Sequence, residues 1–251
     1  MAHDLPDLAN ARRIVLKLGT QIVVDAEGRV ARERLAGVLR QCAALWERGA
    51  ELLIVTSGAV GLGRRMTAHA IDDSLAAKQA YAAIGQAHLV ETYRELLAEH
   101  DMPVAQVLLT SSNFGSRRQY LRVRDTLEKL IEMRVVPLIN ENDTVSTEEL
   151  AATGRSQSFG DNDVLSALVA GKTDADVLVI LTDVDAIYDK NPVTNADAKR
   201  IPVVPELAAL SEINTDGKSA LGRGGVRSKL AAARIASICG VATWITSGLR
   251  E

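Results

Sequence analysis

Residues 13–20 read Arg-Ile-Val-Leu-Lys-Leu-Gly-Thr (RIVLKLGT) and residues 52–63 read LLIVTSGAVGLG. The first is a short β-rich run closed by Gly19-Thr20, which sets Lys17 near the carboxyl end of a first strand. Between the two runs, Leu35, Val38, Leu39, Cys42, Leu45 and Trp46 recur at helical spacing and mark an amphipathic helix ending near Gly49. The second run is a buried-strand pattern leading into a glycine turn. Strand, helix, strand and glycine turn make a βαβ unit, and hence a parallel sheet.

Outward from this unit the alternation continues. An Ala-rich helix is expected over 75–99, a strand over 103–109, a helix over 119–133 and a strand over 135–140. Pro137 has no N–H to donate, which suits a sheet edge or the start of a strand. The polar segment 146–158 reads as a mobile loop. A helix over 164–170 and the strongly strand-like Val177-Leu178-Val179-Ile180-Leu181 follow. Gly222-Arg223-Gly224-Gly225 then opens a helix through Ile235, and 241–245 is a last short strand. No repeat and no linker interrupts the series, so one α/β domain over 1–251 is expected.

The composition agrees. Of 251 residues 47% are hydrophobic but only 3% aromatic, so Ala, Val, Leu and Ile must fill the core, as in helix-covered parallel sheets rather than β sandwiches. The formal charge of −3 argues against a nucleic-acid partner, which requires clustered cations. Cys42 and Cys239 lie in apolar helical patterns without metal spacing, and both read as buried thiols. The first residues lack the basic stretch and apolar run of a signal peptide, and no stretch approaches 18 apolar residues. A cytoplasmic protein away from membranes is expected.

Polar, glycine-rich clusters follow successive strands at Lys17-Gly19, Ser57-Gly58, Asn140 to Asp143, and Thr182-Asp183. In a parallel sheet those ends share one edge, where ligands bind, although turn and cap chemistry alone also favours such residues. Lys17, between Leu16 and Leu18, would bury a cation unless an anion such as phosphate awaits it; the alternative is a lysine snorkelling from an edge strand. Glycines 19, 58, 61 and 63 suit close backbone approach to an anion. Gly222 to Lys229 (GRGGVRSK) fails the Walker pattern, because Lys229 follows Ser228, and Gly58-x-x-Gly61-x-Gly63 fails the dinucleotide fingerprint. A glycine run with basic residues still cradles phosphate. Asp161-Asn162-Asp163 reads equally as a metal cluster or as a helix N-cap at Asp163. His3, His69, His88 and His100 show no ligand spacing.

Together, VLKLGT (15–20), IVTSGAVGLG (54–63), KQAYAAIGQ (78–86), PLINENDTVST (137–147), FGDND (159–163), LTDVDAIY (181–188) and GRGGVRSK (222–229) resemble the glutamate 5-kinases, within the amino acid kinase family. The resemblance implies a three-layer αβα sandwich around a mostly parallel, about eight-stranded sheet. It implies a transfer of phosphate from ATP to the γ-carboxylate of L-glutamate, with Mg²⁺ accompanying the nucleotide, the first step of proline synthesis, and inhibition by proline. Homo-oligomers, dimers or tetramers, are common in the family.

Carried onto this chain, the resemblance assigns Ser57, Asp143 and Asn162 to glutamate, with Asn140 beside them, in the N-terminal part. It assigns Thr182, Asp183, Arg223, Gly224, Gly225, Val226, Arg227, Ser228 and Lys229 to ATP in the C-terminal part. Lys17 would reach the transferring phosphate opposite Lys229, and Asp163 would position both lysines by ion pairing. Three departures stand out. Residues 148–158 look longer than the family's usual connection, which bears on proline sensitivity. Arg223 occupies a place where threonine is common. The chain stops at Glu251, whereas many members continue through another strand and a PUA domain, so an early end is expected. The rivals are a sibling kinase acting on N-acetylglutamate, carbamate or aspartate, and a non-catalytic proline or nucleotide sensor.

Overall fold

Strand β1 (Arg13–Leu18) is buried at all six positions because it runs through the middle of the sheet. It pairs in parallel with β2 (Glu51–Val55) on one side and β5 (Val177–Thr182) on the other. A computed structural model of the chain describes residues 8–67, 72–146, 162–190, 192, 194–204 and 225–249. With β3 (Val104–Leu109), β4 (Val136–Glu141) and β8 (Ala242–Ser247) these strands form one parallel sheet, ordered β3-β4-β2-β1-β5-β8.

Of the about eight strands expected, six lie in this sheet among the described residues. The two further strands, β6 (Ile187–Tyr188) and β7 (Arg200–Ile201), pair antiparallel with each other as a separate ribbon. Each is two residues long. The ribbon packs through Ile187 and Ile201 against Val226 and Leu230.

Helices cover both faces, as the alternation of side chains along β1 requires. Ile14, Leu16 and Leu18 face a core shared with α1 (Thr20–Val23), α2 (Arg32–Glu47), α3 (Ala59–Met66) and α4 (Leu75–Ala98). Val15 faces the opposite core, built with α5 (Arg117–Glu132), α6 (Asn162–Lys172) and α7 (Val226–Ile238). The αβα sandwich is therefore present. No helix among the described residues is long and apolar enough to cross a membrane.

Helix α2 buries Leu35, Val38, Leu39 and Cys42, the stripe its sequence shows. It closes at Gly49, whose φ is 91°, with the Gly49 and Ala50 amides donating to the Trp46 and Leu45 carbonyls, a Schellman closure. Helix α5 closes the same way on Arg134 at φ 54°. That guanidinium stacks 3.6 Å over the Trp46 ring and donates to the Ala50 carbonyl, which fixes the loop after α2 to the loop after α5.

Pro137 is at a strand start and not at an edge, because β4 is interior. It pairs with Ala105 of β3, while β2 joins β4 only at Leu138 and Ile139. Cys42 is buried as expected, but Cys239 is exposed: it caps α7 beyond the helix's buried Leu230, Ala232 and Ala236. The mobile loop expected over 146–158 lies, from residue 147 on, outside the described residues, and so does the longer connection expected over 148–158.

At the amino ends of the strands, opposite the polar clusters, buried Arg13 donates to Glu51 on β2 and to both Glu128 oxygens on α5, and also to the Thr173 carbonyl after α6. Desolvation works against its charge, but the hydrogen bonds it donates to both carboxylates, with their negative charges, outweigh it and raise its pKa. This clasp closes the far pole of the sheet.

Candidate active site

Chain order explains where the site lies. From β1 the chain steps to β2 on one side and later returns to β5 on the other, so β1 and β5 flank the point where the winding reverses. Ligands in open α/β sheets bind outside the carboxyl ends at such a point. Lys17 is the penultimate residue of β1, in register with Ile180 of β5. It is central, 3% exposed, and the edge-strand alternative is thereby removed.

Because Val15 faces the α5–α6–α7 layer, Lys17 two residues on faces it too. There its ammonium meets Asp163, with Nζ 2.5 Å from Oδ1. Asp163 lies in the first turn of α6 and is 0% exposed. Its other oxygen accepts from Ser228 Oγ at 2.7 Å and from Lys229 Nζ at 3.3 Å, both in the first turn of α7, which Gly225 caps. Burial works to raise the Asp163 carboxyl. The charges of Lys17 and Lys229, with hydrogen bonds from Lys17 and Ser228, outweigh it and hold the pKa down at about 2. The N-cap reading of Asp163 is corrected: its side chain is taken by a lysine of β1 and by a lysine and a serine of α7. Asp161 lies outside the described residues, and among those described no group of three or more His, Cys, Asp or Glu could hold a metal ion.

The next residue back serves a second cluster. Asn162 Nδ2 donates to the Thr56 carbonyl (2.7 Å), Ser57 Oγ (2.9 Å) and Asn140 Oδ1 (2.8 Å). Ser57 follows β2 and Asn140 is the penultimate residue of β4, so with α6 three elements again converge. Gly58, at φ 103°, caps α3, and a Cβ there would meet Val24 at 2.8 Å.

Gly61 and Gly63 do not form the expected anion turn, because both lie inside α3. Gly63 serves packing instead. A Cβ on it would fall 1.8 Å from the Tyr81 carbonyl, and one on Gly85 would fall 1.8 Å from the Ala59 carbonyl, so α3 and α4 cross backbone to backbone. Thr56 Oγ1 and the buried Tyr93 hydroxyl of α4 share a hydrogen bond at 3.0 Å.

Thr182 ends β5, buried, and donates to Asp183 Oδ1. Val226 packs with the ribbon and Arg227 is exposed. Asp143 lies in the turn after β4. Arg223 and Gly224 lie outside the described residues. The structure thus gathers Lys17, Asp163, Ser228 and Lys229 into one cluster and Ser57, Asn140 and Asn162 into another, joined by the Asn162–Asp163 peptide.

Sequence reasoning missed Gln86 of α4, whose Oε1 accepts from Asn140 Nδ2 at 2.7 Å, and Glu141, buried and bonded by Ser146 Oγ. The signal for Gln86 was present: it interrupts an otherwise apolar stripe of Ala82, Leu89, Tyr93 and Leu96.

Two lysines and the first turns of two helices meeting at the reversal point of a parallel sheet make an α/β architecture whose ligand-binding edge is suited to an anion. The amino acid kinase family model matches residues 12–247, and the chain belongs to that family. It is 43% identical over 246 residues to a glutamate 5-kinase of Rhodopseudomonas palustris, covering 97% of this chain and 64% of that protein. It is 44% identical over 247 residues to a glutamate 5-kinase of Myxococcus xanthus, covering 96% and 62%. The chain thus spans just under two thirds of the length of these curated relatives. Among solved structures, a carbamate kinase from Giardia lamblia bound to AMP-PNP superposes with a TM-score of 0.64 at 15% identity, covering 96% of this chain and 94% of that one. A UMP kinase from Bacillus anthracis gives 0.62 at 15%, covering 96% and 88%. At such identities the likeness concerns the fold.

Proposed function

We propose that this chain carries an ATP-dependent kinase activity that phosphorylates the γ-carboxylate of L-glutamate. The observation that carries the reading is the single peptide linking two clusters. Asn162 joins Ser57 and Asn140 on what would be the acceptor side, and Asp163 gathers Lys17 and Lys229 on the phosphate side. The 43% and 44% identity to glutamate 5-kinases supports glutamate over sibling acids.

The chemistry asks little beyond placement. A glutamate γ-carboxylate is already ionised at pH 7, so the nucleophile needs no general base. Two anions must instead be brought together, which requires positive charge held in place and alignment. Lys17 and Lys229 share one buried carboxylate, so both are fixed before a phosphoryl group arrives. ATP would sit between the ends of β5 and α7, near Thr182, Asp183 and residues 223–229. Mg²⁺ would come with the nucleotide and would supply charge neutralisation of its phosphates. Inhibition by L-proline on the acceptor side and assembly as a homo-oligomer belong to the same reading.

The test is ADP release with ATP, Mg²⁺ and L-glutamate, with and without L-proline. ADP release that depends on glutamate is expected. Release with N-acetylglutamate but not with glutamate overturns the substrate.

A further inference from the structure

Three buried amide side chains run in series from α4 to α6. Gln86 Oε1 accepts from Asn140 Nδ2. Asn140 Oδ1 accepts from the Glu141 backbone N–H at 2.9 Å and from Asn162 Nδ2. Asn162 Nδ2 also reaches the Thr56 carbonyl and Ser57 Oγ. Gln86, Asn140 and Asn162 are 7%, 1% and 9% exposed, so each amide must be oriented by its neighbours and not by solvent. Two side-chain atoms of these three amides have no hydrogen-bond partner among the described residues, Gln86 Nε2 and Asn162 Oδ1. One is a donor and one an acceptor, at opposite ends. A buried carbonyl without a donor is costly, and a ligand ammonium is a donor that would satisfy it.

We propose that Gln86 is a positioning residue for the acceptor substrate: it fixes the Asn140 amide, and through it holds Asn162 with its carbonyl oxygen presented to the substrate ammonium. The inference rests on the reading of an amino-acid acceptor given above. Asn140 turned over would set its NH₂ against the Glu141 N–H and the Asn162 NH₂. Gln86 is the side chain that takes up the Asn140 protons in the observed orientation.

The placement of Gln86 is itself determined by packing. Gly85, the residue before it, touches the Ala59 carbonyl and Gly63 of α3, and Tyr93, two turns on, is bonded to Thr56. Helix α4 is thereby located against the same loop that carries Ser57. Gln86 acts through Asn140 and Asn162 and needs no contact with the reacting atoms.

The experiment compares wild type, Gln86→Met and Gln86→Glu with L-glutamate and with glutarate, the same dicarboxylate without the ammonium. Met keeps the length and removes the acceptor; Glu keeps an oxygen opposite Asn140 Nδ2. In Gln86→Met the preference for glutamate over glutarate in kcat/KM falls about tenfold, the effect of leaving a buried amide unpaired, while KM for ATP stays within about twofold of wild type. Gln86→Glu retains most of the preference. If Gln86→Met does not fold, as a thermal melt shows, Gln86→Asn, which withdraws the oxygen by one methylene, must show the same loss. An unchanged preference, or a parallel rise in KM for glutamate, glutarate and ATP, overturns the proposal. Wild type without glutamate activity refutes the substrate reading, and the proposal falls with it; an active wild type with an indifferent Gln86→Met refutes Gln86 alone.

Discussion

Lys17 and Asp163 form a buried ion pair of 2.5 Å between the carboxyl end of β1 and the first turn of α6. Neither residue could be buried alone: an isolated charge in an apolar interior costs several kcal/mol even after relaxation. The pair therefore fixes the Lys17 ammonium at the sheet's reversal point.

Lys17→Ala and Lys229→Ala each lower kcat by about 10²–10³, the range seen when one preorganised charge-stabilising donor is removed. Steady-state ADP release with glutamate and ATP checks this. A kcat near wild type in both variants removes these lysines from the phosphoryl-transfer machinery.

The pH dependence of stability follows from Asp163. Its folded pKa, held at about 2, lies below the unfolded value of about 3.9. The carboxylate thus contributes stability above pH 4, and that contribution is lost as pH falls from about 4 toward 2. Asp163→Asn melts well below wild type at pH 7, since two ammonium groups lose their partner, and the gap in Tm narrows toward pH 3. A gap that stays constant with pH contradicts the pairing.

Gly63→Ala and Gly85→Ala each place a methyl group against a backbone carbonyl that cannot swing away, because a Cβ at either position lies 1.8 Å from that oxygen. Each lowers stability by about 1–3 kcal/mol or more. Displacement of α4 also raises KM for the acceptor more than KM for ATP. Chemical denaturation and two-substrate kinetics measure the two effects.

Arg13→Met is expected to cost about 3 kcal/mol by leaving the Glu51 and Glu128 carboxylates without their shared cation. Its kinetic constants, measured well below the melting transition, stay at wild-type values, because the clasp is at the opposite pole from Lys17. Urea midpoints and steady-state rates separate these outcomes.

The two thiols differ. Burial pushes the Cys42 pKa up to about 12, and Cys239 is exposed. An aromatic disulfide reagent at pH 8 modifies Cys239 in the native protein and reaches Cys42 after denaturant is added. Two rapidly reacting thiols in the folded state contradict the packing of α2.

Much of the fold was legible in the residues. The α2 stripe, the apolar runs of β2 and β5 and the terminal glycine at 49 specify local elements, because side-chain periodicity and left-handed turns are properties of short segments. The ribbon of β6 and β7 was not legible, since two-residue strands carry no periodicity. Nor was the exposure of Cys239: Ala236 and Cys239 share a helical face, and only the extent of the neighbouring layer decides which is covered.

By itself the sequence determined that strands alternate with helices, that polar clusters follow the strands, and that a lysine between two leucines must meet an anion unless its strand lies at an edge. The ion pairing of Asp163 with both lysines was implied by the resemblance and is seen in the fold; tertiary structure alone decided that Ser228 shares that carboxylate, that Gly63 packs against α4 rather than cradling a ligand, and that Gln86 belongs with Asn140. Those facts depend on strand order and helix crossing. They bring together residues far apart along the chain, and no local pattern encodes such a distance.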